Sequence, residues 1–492
     1  MKNYIDSAQS KPIQTASPTL IAQNSSVGSW EVLATSAPIL PVHAALLHTN
    51  KVLFVAGSGN DPSNVGETRG TAVWDINTGT YTRVTTPTNT AGLPLDLFCG
   101  GHSFRSDGRL MFAGGTLQYD PFKGLREALL FNPATSQWES VQSMNLGRWY
   151  PTLVTLGDGK IFAVSGLDIN GNLATNQEIF TSSTGWVTFS QRTSDIPMYA
   201  HLFLLSSGKV FYSGASIGYS ELSPRILTLP KRFSQRIAEQ PVNGLEFAGS
   251  GDQAASVLLP PAQDQKVMII GGGGSTTNRV NIVDLKAATP IYRTAPYLNY
   301  ARMHHSAVIL PDRTVFVCNG SLMNEDVQKS MLPAEIYNPA TNTWTVAAAQ
   351  SVPRVYHSVA LLLPDGKVLT AGGNPQRGSN ELRLEIYSPP YMSQPRPVIQ
   401  SAPQSATYSR TIQIQTSQAS SIKWVSLIRP SSNTHCCDTD QRLVDLPISS
   451  RTATSLSVTT PATGNLAPPG WYMLFITDNN NIPSVSTWMQ LN

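Results

Sequence analysis

HSVALLLPDGKVLTAGG, running from His357 to Gly373, is an apolar strand, a Pro-Asp-Gly turn and a second apolar strand ending on paired glycines. Val, Leu and Thr favour extended backbone and Pro-Asp-Gly supplies turn geometry, so the segment predicts a β-hairpin. Related hairpins begin at His43 (HAALLHTNKVLFVAG), His102 (HSFRSDGRLMFAGG), Pro151 (PTLVTLGDGKIFAVSG), His201 (HLFLLSSGKVFYSG), Gln253 (QAASVLLPPAQDQKVMIIGGG) and His305 (HSAVILPDRTVFVCNG). Taken in order, the separations are 59, 49, 50, 52, 52 and 52 residues. A hairpin recurring with a period near fifty predicts an all-β fold, a seven-bladed kelch-type β-propeller over about residues 27–392. Radial repetition lets side chains two hundred residues apart in sequence meet around one axis.

Each repeat has a second half. FNPATSQW (Phe131 to Trp138) and YNPATNTW (Tyr337 to Trp344) are nearly identical, and WDINTGTY (Trp74 to Tyr81) is a third copy. Each is a strand end, a polar turn and an aromatic that opens the next strand, and the aromatic is expected to wedge between neighbouring blades. After Tyr391 the register stops. Gln394-Pro395-Arg396-Pro397 reads as a linker, and residues 393–492 carry short alternating strands at Thr411–Gln415, Ile422–Ile428, Arg442–Leu446, Ser455–Thr459 and Trp471–Ile476. These predict a small immunoglobulin-like β-sandwich. Residues 1–26 are polar and punctuated by Pro and Ser, and read as a flexible arm without an apolar secretory signal.

A net charge of +3 with no basic block argues against a nucleic-acid partner. No stretch approaches the ~20 apolar residues of a membrane span. Charged residues make up only 13%, against about 25% in typical soluble proteins, which suggests an extracellular or cell-surface protein; a monomer is expected. Four cysteines are too few for a disulfide scaffold. Cys318 lies in an apolar strand and reads as a buried thiol. Cys436 and Cys437 are adjacent, with Cα atoms ~3.8 Å apart where an ordinary disulfide needs at least ~4.4 Å, so free thiols or a redox-labile pair are both open.

Registering three blades by their inner hairpins superposes Arg148-Trp149-Tyr150-Pro151, Arg302-Met303-His304-His305 and Arg354-Val355-Tyr356-His357. These positions open the strand nearest the axis. Tyr150, His304, Tyr356 and His357 are therefore candidates for one shared site, with Cys99 at nearly the same level of the preceding blade. Taken alone, His357 reads as a structural histidine, since His43, His102, His201 and His305 share its place in the repeat. Pro430 to Gln441 joins two apolar strands by a polar loop far longer than a hairpin turn of 2–5 residues. Its reach would carry His435 into a channel mouth.

Cys99 in LFCGGHS, Tyr150 in GRWYPT, Tyr356-His357 in VPRVYHSVALLLPDGKVLTAGGN and His435 in THCCDTDQR together resemble the copper-radical oxidases, galactose oxidase and glyoxal oxidase. The resemblance implies that Tyr150, Tyr356, His357 and His435 bind one copper ion. It implies further that Cys99 and Tyr150 form a thioether-crosslinked tyrosyl radical. The implied reaction is oxidation of a small alcohol or aldehyde by O2, with release of hydrogen peroxide. Tyr356 would act as general base and Tyr150 would abstract hydrogen from carbon. Imidazole and phenolate are donors suited to Cu(II). Two features depart from galactose oxidase. Asp168 stands where a tryptophan stacks over the thioether there, and Trp149 beside Tyr150 points to the glyoxal oxidase branch. The alternative from the repeats alone is a non-catalytic propeller that binds a protein or glycan through its loops.

Overall fold

The computed structural model describes residues 26–66, 70–217, 222–245, 248–374 and 376–492. The arm expected over 1–26 therefore lies almost wholly outside the described residues. Among these residues the regular structure is strand, with a few single-turn 3-10 helices, and no helix is long and apolar enough to cross a membrane.

All seven hairpins become the inner pair of a sheet. Their first strands are His43–Leu47, Gly101–Phe104, Thr152–Thr155, Leu202–Leu204, Ala255–Leu258, Ser306–Ile309 and Ser358–Leu362. Each sheet continues outward as an antiparallel meander. In the last sheet the outer strand comes from the other end of the chain: Ser29–Val32 pairs antiparallel with Glu385–Ser388. This latch closes the ring, and the repeat reading missed it. Its signal was Trp30, which stands in its strand as Trp344 stands in Thr343–Ala349. The expected aromatic wedges are present. Trp30 donates through Nε1 to the carbonyl of Ala348, Trp344 to Pro296, and Trp138 to the Thr71 hydroxyl, each reaching the preceding repeat.

Three of the repeats share a buried ion pair. Arg148 pairs with Glu178 at 2.9 Å, Arg302 with Glu335 at 3.2 Å, and Arg354 with Glu385 at 3.8 Å, all with fully buried side chains. Every one of these arginines also donates to two carbonyls: Ser165 and Asn176, Asn319 and Pro333, Gly372 and Arg383. The planar five-donor guanidinium thus ties strand opening, hairpin end and third strand together. The glycines that end the hairpins have a matching cause. A Cβ on Gly114 would lie 2.2 Å from the Arg148 carbonyl of the next repeat, and one on Gly271 would lie 2.6 Å from that of Arg302.

Beyond the wheel, Ile422–Arg429, Gly470–Asp478, Thr487–Leu491 and Arg442–Asp445 build one sheet, and Thr411–Gln415, Ser455–Thr459 and Ile448–Arg451 a second. Ile414, Leu427, Val458, Tyr472 and Leu474 fill the space between them. The segment from Pro430 to Gln441 departs from the expected loop. It folds as a hairpin, Ser432–Thr434 against Cys437–Asp438, and Ser432–Thr434 adds to the inner strand His43–Leu47 with His43 opposite Thr434. All its residues are buried.

A lone buried charge left by deleting one partner of such a pair costs about 3–5 kcal/mol. Glu335→Ala is therefore expected to lower the denaturation midpoint sharply, whereas exchanging exposed Asp158 for Ala should leave it within experimental error.

Candidate metal centre

Six of the inner strands are preceded by one non-glycine residue in the left-handed region: Cys99 (φ 61°), Tyr150 (62°), Tyr199 (43°), Gln253 (54°), His304 (58°) and His357 (61°). Such residues cost on the order of 1–3 kcal/mol each and persist only where their surroundings over-determine them. Here they are chained from blade to blade. The N–H of Tyr150 donates to the carbonyl of Cys99, that of Tyr199 to Tyr150, and that of His304 to Gln253. The residues at the hub are therefore held by the neighbouring blade as well as by their own strand. In the last blade the left-handed residue is His357, not Tyr356, although Tyr356 matches Tyr150 in the hairpin register.

The structure brings together the five residues that the resemblance implies, and His304, the sixth candidate, has its ring 4.8 Å from that of Tyr356. The phenol oxygens of Tyr150 and Tyr356 are hydrogen-bonded to each other. The Cys99 thiol is in hydrogen-bonding contact with the side chain of Tyr150 and lies 3.7 Å from His435 Nε2. Donor atoms of Cys99, His357 and His435 all fall within 4.8 Å of one another. The His435 ring centroid is 4.6 Å from that of His357, 4.9 Å from Tyr150 and 5.2 Å from Tyr356. His435 and Cys436 both have positive φ, 49° and 65°, and form the two-residue turn between Thr434 and Cys437. Those are the φ signs of a type I′ turn, which delivers the imidazole at the hairpin tip. Cys436, Cys437 and Cys318 are buried free thiols.

Hydrogen bonds fix which nitrogen faces the cluster. Asn374 donates through Nδ2 to the carbonyls of Gln376 and Ser379, so its Oδ1 must face His357 and accept from Nδ1–H at 3.2 Å. His357 Nε2 is then a buried lone pair with no partner among the described residues. His435 Nδ1 is engaged by the Thr434 hydroxyl at 2.6 Å, leaving Nε2 for the cluster. Burial pushes the phenols of Tyr150 and Tyr356 and the thiol of Cys99 well up, and pushes both imidazoles down. Burial thus favours the uncharged form of all five groups at neutral pH. A cation placed among these donors would reverse that preference for the phenols and the thiol.

Asp168, at the position of the stacking tryptophan, and Trp149, next to Tyr150 in sequence, are placed differently around the ring. Asp168 builds a turn, its Oδ1 accepting from the N–H groups of Asn170 and Asn172. Trp149 stands edge-on to Tyr150, centroids 3.8 Å apart, and Phe122 stacks on Trp149 at 4.1 Å. His43 and His102 were missed as neighbours of the site. His43 Nε2 accepts from the Cys99 N–H, so its Nδ1–H donates to His102 Nε2 at 3.1 Å, and His102 Nδ1–H reaches the Ser432 hydroxyl. Their signal was the shared His of the repeat.

Fold and site define a wheel of antiparallel sheets, capped by a sandwich whose hairpin completes an axial cluster of two phenols, two imidazoles and a thiol. The chain belongs to the glyoxal oxidase family: the glyoxal oxidase N-terminus model matches residues 42–391, and the galactose oxidase-like early set domain follows over 396–491. Galactose oxidase of Gibberella zeae is 28% identical over 503 residues, covering 92% of this chain and 69% of the relative. Aldehyde oxidase GLOX of Vitis pseudoreticulata is 26% identical over 516 residues, covering 94% and 97%. Among solved structures, a fungal alcohol oxidase in complex with copper superposes with a TM-score of 0.80 at 25% identity, covering 95% of this chain and all of that one.

His43, His102, His201 and His305 are held neutral, their imidazoles pushed down by burial, to about 3 for His102 and His201. An unfolded histidine titrates near ~6.5, so below that pH the unfolded chain binds more protons and stability falls. Buried carboxyls act in the opposite sense, Glu325 raised to about 7 and Asp438 to about 6, with Asp96, Asp312, Asp440 and Asp445 also raised, but all eight histidines are pushed down and outnumber them. In the metal-free protein the urea midpoint should decline from pH 6.5 towards 4, each histidine contributing on the order of 1–2 kcal/mol of loss at pH 5.

Proposed function

We propose that this chain is a copper-radical oxidase that converts a small primary alcohol or aldehyde, with O2, to the aldehyde or acid and hydrogen peroxide. The observation that carries this reading is the meeting of Cys99, Tyr150, Tyr356, His357 and His435 from distant stretches of chain, with the His357 Nε2 lone pair buried and unpartnered. In this reading Tyr150, Tyr356, His357 and His435 hold one copper ion, and Cys99 is joined to the Tyr150 ring through a thioether. Two neutral imidazoles and two phenols suit Cu(II), which prefers nitrogen and oxygen donors. Bound there, copper supplies one redox equivalent beside a second carried on the sulfur-substituted Tyr150 ring, which together accept two electrons.

The protein's own groups then divide the work. Tyr356 is half-buried while Tyr150 is almost fully buried, so Tyr356 is the phenol open to an incoming substrate. It takes the hydroxyl proton as general base. Tyr150 takes the hydrogen from carbon. Trp149 and Tyr199, both edge-on to the Tyr150 ring, keep water from it. All five groups come from one chain, which supports a monomeric enzyme. The low content of charged residues favours action outside the cell or at its surface.

Crosslinking removes the Cys99 S–H and one Tyr150 ring C–H, forms a C–S bond, and passes both hydrogens to dioxygen. Incubating the purified protein with copper in air should therefore lower its intact mass by two hydrogen atoms. Cys99→Ala and Tyr150→Phe should each abolish that change, and a propeller that only binds a partner would show none. Peroxide release from a panel of small alcohols and aldehydes then sets the substrate class.

Because Asn374 orients His357, Asn374→Ala is expected to weaken copper binding by about 10–100-fold, as loss of groups that orient ligands does elsewhere. His435→Ala should weaken it further while the far-UV spectrum stays that of the wild type. Equal copper affinity in all three proteins, measured by competition with a chelator, would remove these residues from the site.

A further inference from the structure

Two buried histidines beside the five donors have no role in the reaction just described. His43 Nε2 accepts from the Cys99 N–H at 3.2 Å, His43 Nδ1–H donates to His102 Nε2 at 3.1 Å, and His102 Nδ1–H reaches the Ser432 hydroxyl of the inserted hairpin. Both rings pack on Phe112, with centroids 5.2 and 5.6 Å away. This anchoring sets Cys99 apart from Tyr150, Tyr199 and His304, whose N–H groups are met by a backbone carbonyl of the preceding blade. In the first blade the carbonyl before His43, that of Val42, is engaged by the Thr434 hydroxyl of the same hairpin, and a ring nitrogen meets Cys99 instead. On its other side the Cys99 carbonyl accepts from the N–H of Tyr150 at 2.9 Å.

We propose that His43 and His102 are positioning residues that hold the Cys99 peptide so that its thiol faces the Tyr150 ring, which makes thioether formation depend on the seating of the Ser432 hairpin. The proposal rests on the oxidase reading above. In the crosslinking step the Cys99 S–H and one Tyr150 ring C–H give a C–S bond, and O2 takes both hydrogens as H2O2. Its rate depends on how often sulfur and ring carbon meet in a productive geometry, and small displacements of reacting atoms cost up to about 100-fold. Left-handed backbone at a residue with a Cβ is unfavourable and persists only where partners hold it. Cys99 is fully buried, so no solvent replaces a lost acceptor for its N–H. Without His43 the peptide would turn towards another partner and carry the thiol away from Tyr150. The proposed copper ligands are held independently of this relay. His357 is oriented by Asn374, His435 by Thr434, and the two phenols bond each other, while the His43 ring stands 6.0 Å from that of His435.

The test uses the full chain purified without copper, so that the thiol is free at the start. Copper is added in air, and the loss of two hydrogen atoms is followed by intact mass against time. His43→Leu should slow this loss about 10–100-fold, and His102→Leu and Ser432→Ala by a smaller factor. Copper affinity, measured by competition with a chelator, should stay that of the wild type in all three. His43→Gln, whose side-chain oxygen can accept from the Cys99 N–H, should restore most of the rate, which a merely structural role for the ring would not allow. Should His43→Leu not fold, Ser432→Ala, which keeps the strand pairing of the hairpin, carries the test. A wild-type rate in Ser432→Ala and in every His43 variant that folds overturns the inference. So does slow crosslinking that follows a matching loss of copper affinity, or a defect in His43→Leu that persists undiminished in His43→Gln. A wild type that loses no mass overturns the oxidase reading, and this inference with it.

Discussion

The structure depends on how the free edges of the inner strands are satisfied. Each inner strand is paired on one side within its sheet and turns its other edge to the axis, where an unpaired buried N–H or C=O would be costly. The segment from Arg429 to Arg442 meets that demand sheet by sheet. Arg429 donates to the carbonyl of Phe104, and Asp440 accepts from its N–H. Thr434 reaches Val42, Thr439 reaches Leu153, and Asn433 accepts from Ala360. Gln441 both donates to Ala307 and accepts from Ile309. A stretch rich in Asn, Thr, Asp and Gln is thus buried because the wheel has backbone groups to pair. His435 sits at the tip of this plug, so the interaction that seals the hub also delivers an imidazole to it.

The same geometry accounts for the electrostatics. Hub residues stand in left-handed backbone that the neighbouring blade holds in place, and their side chains converge where water is scarce. Under such burial phenols and thiols keep their protons and imidazoles lose theirs, which leaves a neutral set of donors. The His43–His102–Ser432 chain extends this order to the surroundings, linking the backbone of Cys99 to the plug hairpin through neutral rings. The arrangement favours a single cation over any anion. The fully buried charges of Arg148, Arg302 and Arg354 are matched by glutamates at fixed places in their own blades, and that of Arg429 by Asp440 within the plug.

Much of this was legible before any coordinates. The hairpins could be read because strand alternation and turn chemistry are local, and Cys99, Tyr150, Tyr356, His357 and His435 because each sits in a distinctive short motif. What stayed hidden was non-local. The pairing of Ser29–Val32 with Glu385–Ser388 joins the two ends of the wheel, and only the placement of Trp30 hinted at it. Glu178, Glu335 and Glu385 precede Ile-Phe, Ile-Tyr and Ile-Tyr, a repeated signature, yet nothing local says that an arginine some thirty residues earlier is the partner. The plug read as a loop because its polar residues look solvated until the strand edges they satisfy are in view.

The surroundings of Tyr150 show how one requirement can be met from a different direction. Asp168 is committed to its turn and leaves the ring uncovered from that side. Cover comes instead from Trp149 beside it in sequence, set edge-on, and from Phe122, which stacks on Trp149 from the short hairpin that joins Thr116–Gln118 to Lys123–Gly124. Arg377 lies over the rings of Tyr119 and Phe122 and pairs with Asp120, so this hairpin is clamped from the last blade. In the oxidase reading, a ring that holds an unpaired electron needs a dry, polarisable wall more than it needs a particular residue at a particular place. Two aromatics on neighbouring segments, fixed by a third, supply that wall.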